Sequence, residues 1–124
     1  MKTTIVILSD PKNGSEEALG RVFNGLAAAY DFKQAGDEVS IVFQGAGTRW
    51  IGELTQKQHP AHDLFQAVKD RVAGVSCGCA DVFGATAEAE KAGLDFIKDS
   101  PVPGTPGVAS LRKFATEGST ILTF

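Results

Sequence analysis

The sequence predicts an α/β protein, a three-layer α/β/α sandwich in which one parallel β-sheet is covered by helices on both faces. Stretches with the period of a strand alternate with stretches with the period of a helix along the whole chain, which is the pattern of parallel sheets. The first strand is a continuous run of mostly β-branched residues, as a strand buried on both faces requires. The chain has 124 residues, 43% of them apolar, without an internal repeat or linker. We therefore expect a single domain over residues 1–124.

The first strand and the first helix are predicted from Thr4–Leu8 and the segment that follows it. Ser9–Gly14 is a cluster of turn-forming residues. Ser15 is placed to cap the next helix, because two glutamates follow it where the helix dipole favours acidic side chains. Gly36 is expected to end this helix. The predicted apolar stripe of the helix comprises Leu19, Val22, Phe23, Leu26 and Tyr30.

The middle of the chain is predicted to form a second strand and two further helices. The strand is Val39–Phe43, and the glycine-rich loop Gln44–Thr48 leaves it. A short helix is predicted over Arg49–Leu54. The next helix is expected to begin near Pro60, since proline is tolerated in a first turn. Its predicted apolar stripe comprises Leu64, Phe65, Val68 and Val72.

The last part of the chain is predicted to supply three more strands. Ala73–Ser76 is a short strand, and a helix over Asp81–Ala92 follows it. Leu94–Ile97 is expected to be a fourth strand, and the proline-rich segment Ser100–Gly107 a loop. A last helix precedes the final strand, Thr120–Phe124. The apolar residues predicted to face inward from the last two helices are Val82, Phe83, Ala89, Val108, Leu111 and Phe114.

Charge and length exclude two classes of partner. The chain carries 12 Lys and Arg against 15 Asp and Glu, a net charge of −3, and it has no basic cluster. Nucleic-acid binding and membrane-surface binding both need such a cluster, so neither is expected. The apolar run that starts at Ile5 is too short for a signal peptide or a membrane span, and we expect a cytoplasmic protein. Its two cysteines are then expected to be reduced.

Three segments are predicted to meet at one edge of the sheet. Open parallel sheets bind ligands beyond the carboxyl ends of their strands. Ser9–Gly14, Gln44–Arg49 and Cys77–Asp81 each follow a predicted strand and should converge there. Arg49 could pair there with a carboxylate, sulfate or phosphate, or form an ordinary ion pair. The candidate ligand-binding residues at this edge are Ser9, Asp10, Gln44, Gly45, Gly47, Arg49 and Gly78.

The triplet Cys77-Gly78-Cys79 is the most chemically suggestive feature of the sequence. Thiolates are nucleophiles, and a helix N-terminus favours the ionised form of a thiol. Cys79 is predicted to lie just before the helix that starts near Ala80 or Asp81, so it is the preferred candidate for an activated thiolate, with Cys77 second. Gly78 would let a donor approach closely. Two alternatives stay open: both cysteines could be buried packing residues, or they could form a strained and labile disulfide.

Metal and cofactor sites have weaker support in the sequence. His59 and His62 would supply, together with the two cysteines, four ligands of the type that zinc prefers. Their spacing does not match the familiar zinc patterns, and a surface position at a helix start is the simpler interpretation. The glycine-rich loop lacks both the dinucleotide fingerprint and the phosphate-binding lysine. We therefore expect no cofactor.

The chain resembles the DsrE/DsrF-like sulfur-relay proteins over essentially its whole length. The resemblance rests on the order of the opening strand, the long helix Glu16–Ala35, the strand Val39–Phe43 and a cysteine after the third strand. The closing segment, residues 111–124, continues it. More particularly, residues 45–50 (GAGTRW) and 72–80 (VAGVSCGCA) are similar to a DsrE-like subgroup.

The resemblance implies a five-stranded, mostly parallel sheet. It also implies assembly into homo-oligomers, trimers or hexamers, or assembly with related DsrE-like subunits. In the sulfur-relay members, a cysteine after the third strand carries sulfur as a persulfide, a role that maps here onto the region of Cys77 and Cys79. The implied function is that of a persulfide carrier or sulfurtransferase subunit, with a sulfur donor or acceptor protein as partner. The alternative is a non-catalytic oligomeric module that binds a small ligand or a metal, with the cysteines as ligands or packing.

Overall fold

A single five-stranded sheet forms the centre of the computed structural model, which describes residues 1–124. The strands are β1 (Lys2–Ile7), β2 (Glu38–Phe43), β3 (Val72–Ser76), β4 (Phe96–Ile97) and β5 (Thr120–Thr123). The α-helices are α1 (Glu16–Gln34), α2 (Trp50–Leu54), α3 (His62–Val68), α4 (Cys77–Val82), α5 (Thr86–Lys91) and α6 (Leu111–Thr116). Short 3₁₀ helices cover Pro11–Asn13, Gly45–Arg49 and Lys69–Arg71.

The sheet has the strand order β4-β3-β2-β1-β5, and every pair of neighbours is parallel. The predicted parallel α/β sheet is therefore confirmed. The chain moves from β1 through β2 and β3 to β4 in one direction and then returns to the other side of β1 for β5. The direction of winding thus reverses between β1 and β5, which makes this the switch point at which such sheets form a ligand crevice.

The two faces of the sheet are covered differently. Ile5 and Ile7 of β1 point into the main core, which α1, α2, α3 and α5 complete. Side chains alternate along a strand, so Val6, also fully buried, faces the other side. That side is covered by the segment containing α6: the hydroxyl of Ser76 accepts a hydrogen bond from Ala109 N at 3.0 Å. Helices therefore lie on both sides of the sheet, as predicted.

The first helix begins and ends where the sequence predicts, but it uses a different apolar stripe. Ser15 caps it and accepts a hydrogen bond from Ala18 N at 3.1 Å. The buried positions are Ala18, Val22, Gly25, Leu26 and Ala29. Phe23 and Tyr30, predicted to face the core, are 44% and 39% exposed. The prediction was wrong for these two rings because small residues bring α1 so close to the sheet that Gly25 already contacts Ile7.

Five further predictions were wrong in position. Val72 lies in β3 rather than in the preceding helix, and Val108 precedes α6 in an isolated bridge to Ser100. The predicted helix over residues 81–92 is two helices, because the chain turns at Gly84 with φ at +70°. The first of these, α4, starts four residues earlier than predicted, and Val82 is 70% exposed instead of inward.

Candidate functional site

Two of the three predicted segments make direct contact at the carboxyl edge of the sheet. The indole nitrogen of Trp50 donates to the carbonyl oxygen of Ser9 at 2.8 Å and lies 3.1 Å from its hydroxyl. Arg49 Nη1 donates to Asp10 Oδ2 at 3.0 Å. Residues that follow β1 are therefore joined to residues that follow β2.

Arg49 does not contact the third segment, Cys77–Asp81, but it contacts Phe83 just beyond it, at the end of α4 away from the cysteines. Its Nε donates to the carbonyl oxygen of Phe83 at 3.1 Å, and its guanidinium lies 5.2 Å from the centroid of that ring. Phe83 directly follows the last residue of α4, where a cation suits the helix dipole. The guanidinium thus joins the loop after β1 to the C-terminal end of α4. That Arg49 binds a substrate anion stays a prediction.

The glycine-rich segment is packed tightly against the end of β1. Gln44 N donates to the carbonyl oxygen of Ile7 at 3.0 Å. A Cβ at Gly47 would overlap that same carbonyl group, lying 2.7 Å from its carbon, so only glycine fits there. Gly45 has φ at +59°, which also favours glycine. The side-chain oxygen of Gln44 is buried and has no hydrogen-bond partner.

The Cys-Gly-Cys triplet forms the first turn of α4. Cys77 is the first helical residue after β3, so Cys79 lies inside the helix and not before it as predicted. Gly78 N donates to the carbonyl oxygen of Gly107 at 2.7 Å. A Cβ at Gly78 would lie 3.0 Å from that oxygen and from Val108 Cγ1. The proline-rich loop therefore packs directly on this turn, and Gly78 serves that close approach.

The helical backbone separates the two thiols. Successive residues of an α-helix are turned by about 100°, so two residues apart they point about 200° apart. Cys77 and Cys79 are both free and both partly exposed. A disulfide between them would require the first turn of α4 to unwind, because their Cβ atoms point in opposite directions.

Only one of the two cysteines faces a cavity. Cys77 contributes to a cavity of about 570 Å³ beside β4, whereas Cys79 lines none of the cavities in the molecule. Lys98 is the single cationic side chain of this cavity, and Asp81 and Glu90 are its acidic ones. Thr86, Phe96 and Pro106 complete the lining.

A separate cavity of about 310 Å³ lies at the switch point between β1 and β5. Ser9 and Asp10, two of the candidate ligand-binding residues, line it. That they bind a ligand stays a prediction. Asn13 belongs to the predicted segment Ser9–Gly14. The sequence did not indicate Arg21 or the closing residues of the chain as neighbours, because the place of β5 beside β1 is not visible in local patterns. The lining residues are Leu8, Ser9, Asp10, Asn13, Ser15, Glu17, Ala18, Arg21, Thr123 and Phe124.

The side chains of the two histidines contact residues nearby in the sequence. His59 Nδ1 accepts a hydrogen bond from Ala61 N at 3.1 Å, and its ring lies edge-on to Trp50 at 6.0 Å. His62 Nδ1 lies 2.8 Å from the carbonyl oxygen of Leu54. No group of three or more His, Cys, Asp or Glu side chains is close enough to hold a metal ion. The structure therefore does not assemble the histidines and cysteines into the four-ligand set that the sequence offered.

No helix is both long enough and apolar enough to cross a membrane.

Two comparisons with known proteins found similarity, and a third found none. A family model described as the DsrE/DsrF-like family matches residues 1–124. An uncharacterized protein of Methanocaldococcus jannaschii, MJ0733, is 36% identical over 64 residues, which are 51% of this chain and 51% of that protein. The match thus spans about half the length of the curated relative. No solved structure matches the chain.

Proposed function

The chain belongs to the DsrE/DsrF-like family, and from this premise we propose that it is a sulfur carrier in which Cys77 holds the transferred sulfur as a persulfide. The single observation that carries the proposal is the position of Cys77. It is the first residue after β3, at the carboxyl edge of the sheet, and its side chain faces a cavity of about 570 Å³. That volume accommodates a small donor molecule or the tip of a donor protein's loop.

The transfer step needs a thiolate and no external oxidant. Ionised Cys77 Sγ attacks the outer sulfur of a donor persulfide, R–S–SH, and forms a new S–S bond. The donor's own S–S bond breaks, and its electron pair leaves on the donor sulfur as R–S⁻, so no net oxidation occurs. Release is the same exchange in reverse, with the thiolate of an acceptor attacking the outer sulfur.

Charged side chains in the cavity of Cys77 support this exchange in two ways, although the two carboxylates there oppose the thiolate's own charge. The thiol must lose a proton, and the side chains of Asp81 and Glu90 in the same cavity are proton acceptors. Lys98 brings a positive charge into the cavity that receives the thiolate and the persulfide anion. The chemistry suits a cytoplasmic setting, where thiols are kept reduced. Carrier and sulfurtransferase-subunit roles share this step and differ only in the acceptor.

Cys79 is the matched control within the chain. It has the same residue type, lies two positions further along the same helix and is also partly exposed, but it faces no cavity. The sequence favoured Cys79 because its helix was expected to start later. With the helix starting at Cys77, the geometry favours Cys77.

The test is loading followed by release. The chain is incubated with a low-molecular-weight persulfide, freed of donor by gel filtration and treated with cyanide, which removes outer sulfur as thiocyanate. We expect wild type and Cys79→Ser to release thiocyanate and Cys77→Ser to release none. If wild type takes up no labile sulfur under conditions that load a known carrier, the chain is not a sulfur carrier.

The switch-point cavity favours a second candidate function, that of a non-catalytic module that binds a small ligand. This cavity contains neither cysteine, so binding there does not need a thiol. Its polar lining around Asn13 and Ser9 suits a ligand with several hydroxyl groups. Under this function, the Cys77→Ser/Cys79→Ser double variant keeps any thermal stabilisation that a panel of nucleosides and polyols produces. Loss of that stabilisation in the Asn13→Ala variant would assign it to this cavity.

A further inference from the structure

The cavity of Cys77 contains more negative charge than sulfur exchange requires. Its charged side chains are Asp81, Glu90 and Lys98, so one negative charge is in excess even before Cys77 ionises. Like charges disfavour a thiolate, so the two carboxylates oppose the species that performs the exchange. The exchange needs a single proton acceptor, and the second carboxylate has no role in it. The pair of carboxylates therefore calls for a different explanation.

Neither carboxylate is neutralised by a cation of the chain. Asp81 and Glu90 are exposed and form no ion pair, and Lys98 pairs with neither of them although it lines the same cavity. Asp99, one residue beyond Lys98, differs because it lies 3.4 Å from Lys113 Nζ. The two carboxylates beside Cys77 are thus free to pair with a cation that a ligand brings into the cavity.

The spacing within α4 sets how far that cation lies from the reacting sulfur. Asp81 follows Cys77 by four residues in the same helix, so the two side chains are neighbours on one face. Residues at this spacing have Cβ atoms about 5–6 Å apart. An ammonium group two carbon atoms away from a persulfide spans a comparable distance. A short aminoalkyl persulfide can therefore contact both side chains at once.

We propose, on the premise that Cys77 carries sulfur, that Asp81 and Glu90 select a small sulfur donor with a cationic group next to its persulfide. The cation pairs with the carboxylates while the outer sulfur of the donor lies at Cys77 Sγ. The bound cation also offsets the repulsion between the carboxylates and the thiolate. A cavity of about 570 Å³ has the size of sites that hold a small molecule whole, which favours a low-molecular-weight aminoalkyl persulfide as the donor class.

Loading by three donors of similar size tests this selection. The donors are 2-aminoethyl, 2-hydroxyethyl and carboxymethyl persulfide, in which the group near the sulfur is cationic, neutral and anionic. The protein is the Cys79→Ser variant at low salt, so that cyanide-labile sulfur reports on Cys77 alone. Loading is stopped by gel filtration at a series of times. Each rate is divided by the rate of the same donor with 2-mercaptoethanol, which corrects for the donor's own reactivity.

The corrected rates should follow the charge of the donor. Clefts lined by one sign of charge raise the association rate of an oppositely charged ligand by about 10–10³-fold. Only one charge is in excess in this cavity, so we expect the lower end, a corrected rate about tenfold higher for the aminoethyl than for the hydroxyethyl donor. The carboxymethyl donor should be the slowest. The preference should weaken as salt is added, because salt screens exposed charges.

Three variants locate the preference in the cavity. Asp81→Asn/Glu90→Gln should abolish it, and the ratio between donors is the readout because a lost proton acceptor slows every donor alike. Lys98→Gln keeps both carboxylates and should increase the preference. The matched control, Asp31→Asn/Glu38→Gln, makes the same change in net charge at exposed positions near the end of α1 and the start of β2. The control should keep the preference of the parent chain.

The outcomes separate donor selection from the carrier function itself. Equal corrected rates for the three donors would overturn the selection and leave the carrier function standing. A preference that survives in Asp81→Asn/Glu90→Gln, or that falls as much in the control variant, would overturn the role of the two carboxylates. Absence of loading by any of the three donors would overturn the carrier function, and the selection with it.

Discussion

Gly47→Ala should destabilise the chain strongly although it adds a single methyl group. The new Cβ would lie 2.7 Å from the carbonyl carbon of Ile7 and 3.1 Å from Leu8 Cα. Both neighbours are backbone atoms at the end of β1, so no side-chain rotation relieves the overlap. The 3₁₀ helix must therefore move away from β1, and Arg49 and Trp50 at its end must move with it.

The expected cost follows from this geometry. An extra methyl in a well-packed site costs about 1–3 kcal/mol. The obstacles here are backbone, so we expect the upper end, about 3 kcal/mol. For a chain of 124 residues with an unfolding entropy of about 2.1 cal/mol/K per residue, this corresponds to a fall of roughly 11 °C in Tm.

Urea unfolding followed by circular dichroism measures the effect, and Gly20→Ala is the control. Nothing lies within 4 Å of a Cβ at Gly20. That variant should gain roughly 0.5–1 kcal/mol in dilute solution, since alanine is the better helix former. The urea dependence, m, should be the same in both variants if only the folded state is affected. A Gly47→Ala variant within about 0.5 kcal/mol of wild type would refute the packing role of this glycine.

Two further predictions concern ion pairs. Arg49→Leu loses the contacts with Asp10 and Phe83. Because the Arg49–Asp10 pair is only partly buried, we expect the free energy of unfolding in urea to fall by about 1–2 kcal/mol. An unchanged unfolding midpoint would contradict the idea that Arg49 joins the loop after β1 to the end of α4. The hydrogen bond from Lys33 lowers the pKa of Asp70 below its ordinary 3.8, so this pair stabilises the chain above that pH and the contribution is lost as pH falls through the lowered value. Lys33→Met should raise the pKa of Asp70 toward 3.8 and reduce the stability that is lost in acid. An NMR titration of the Asp70 carboxyl that finds the same pKa in wild type and Lys33→Met would contradict this.

Local sequence patterns were sufficient to predict the layers of the fold. The continuous β-branched run of β1 and the capping serine before α1 are both found where expected, because each depends on neighbours in sequence. The bounds of α4 could not be predicted in this way. In its first turn, Gly78 N donates to the carbonyl oxygen of Gly107, 29 residues later in the chain. Local spacing around the two cysteines does not encode such a tertiary contact.

The composition of the site was predicted more accurately than its arrangement. Asp10 and Arg49 do lie at the carboxyl edge of the sheet, because every strand of a parallel sheet ends there. That Arg49 contacts the far end of α4 rather than the cysteines depends on side-chain reach, which spacing along the sequence does not encode. Phe23 shows the same limit: helical spacing identified an apolar residue but could not tell an inward stripe from an outward one.

Site-resolved mass spectrometry of the loaded chain tests the central claim most directly. The chain is incubated with a persulfide donor and its remaining thiols are alkylated. The peptide that contains both cysteines is then fragmented, so that the mass on Cys77 is read separately from the mass on Cys79. We predict that the additional sulfur lies on Cys77 in wild type and in Cys79→Ser, and that Cys79 stays an ordinary thiol in Cys77→Ser. Sulfur found on Cys79 while Cys77 is unmodified would contradict the account, because the cavity beside β4 would then not be the site of transfer.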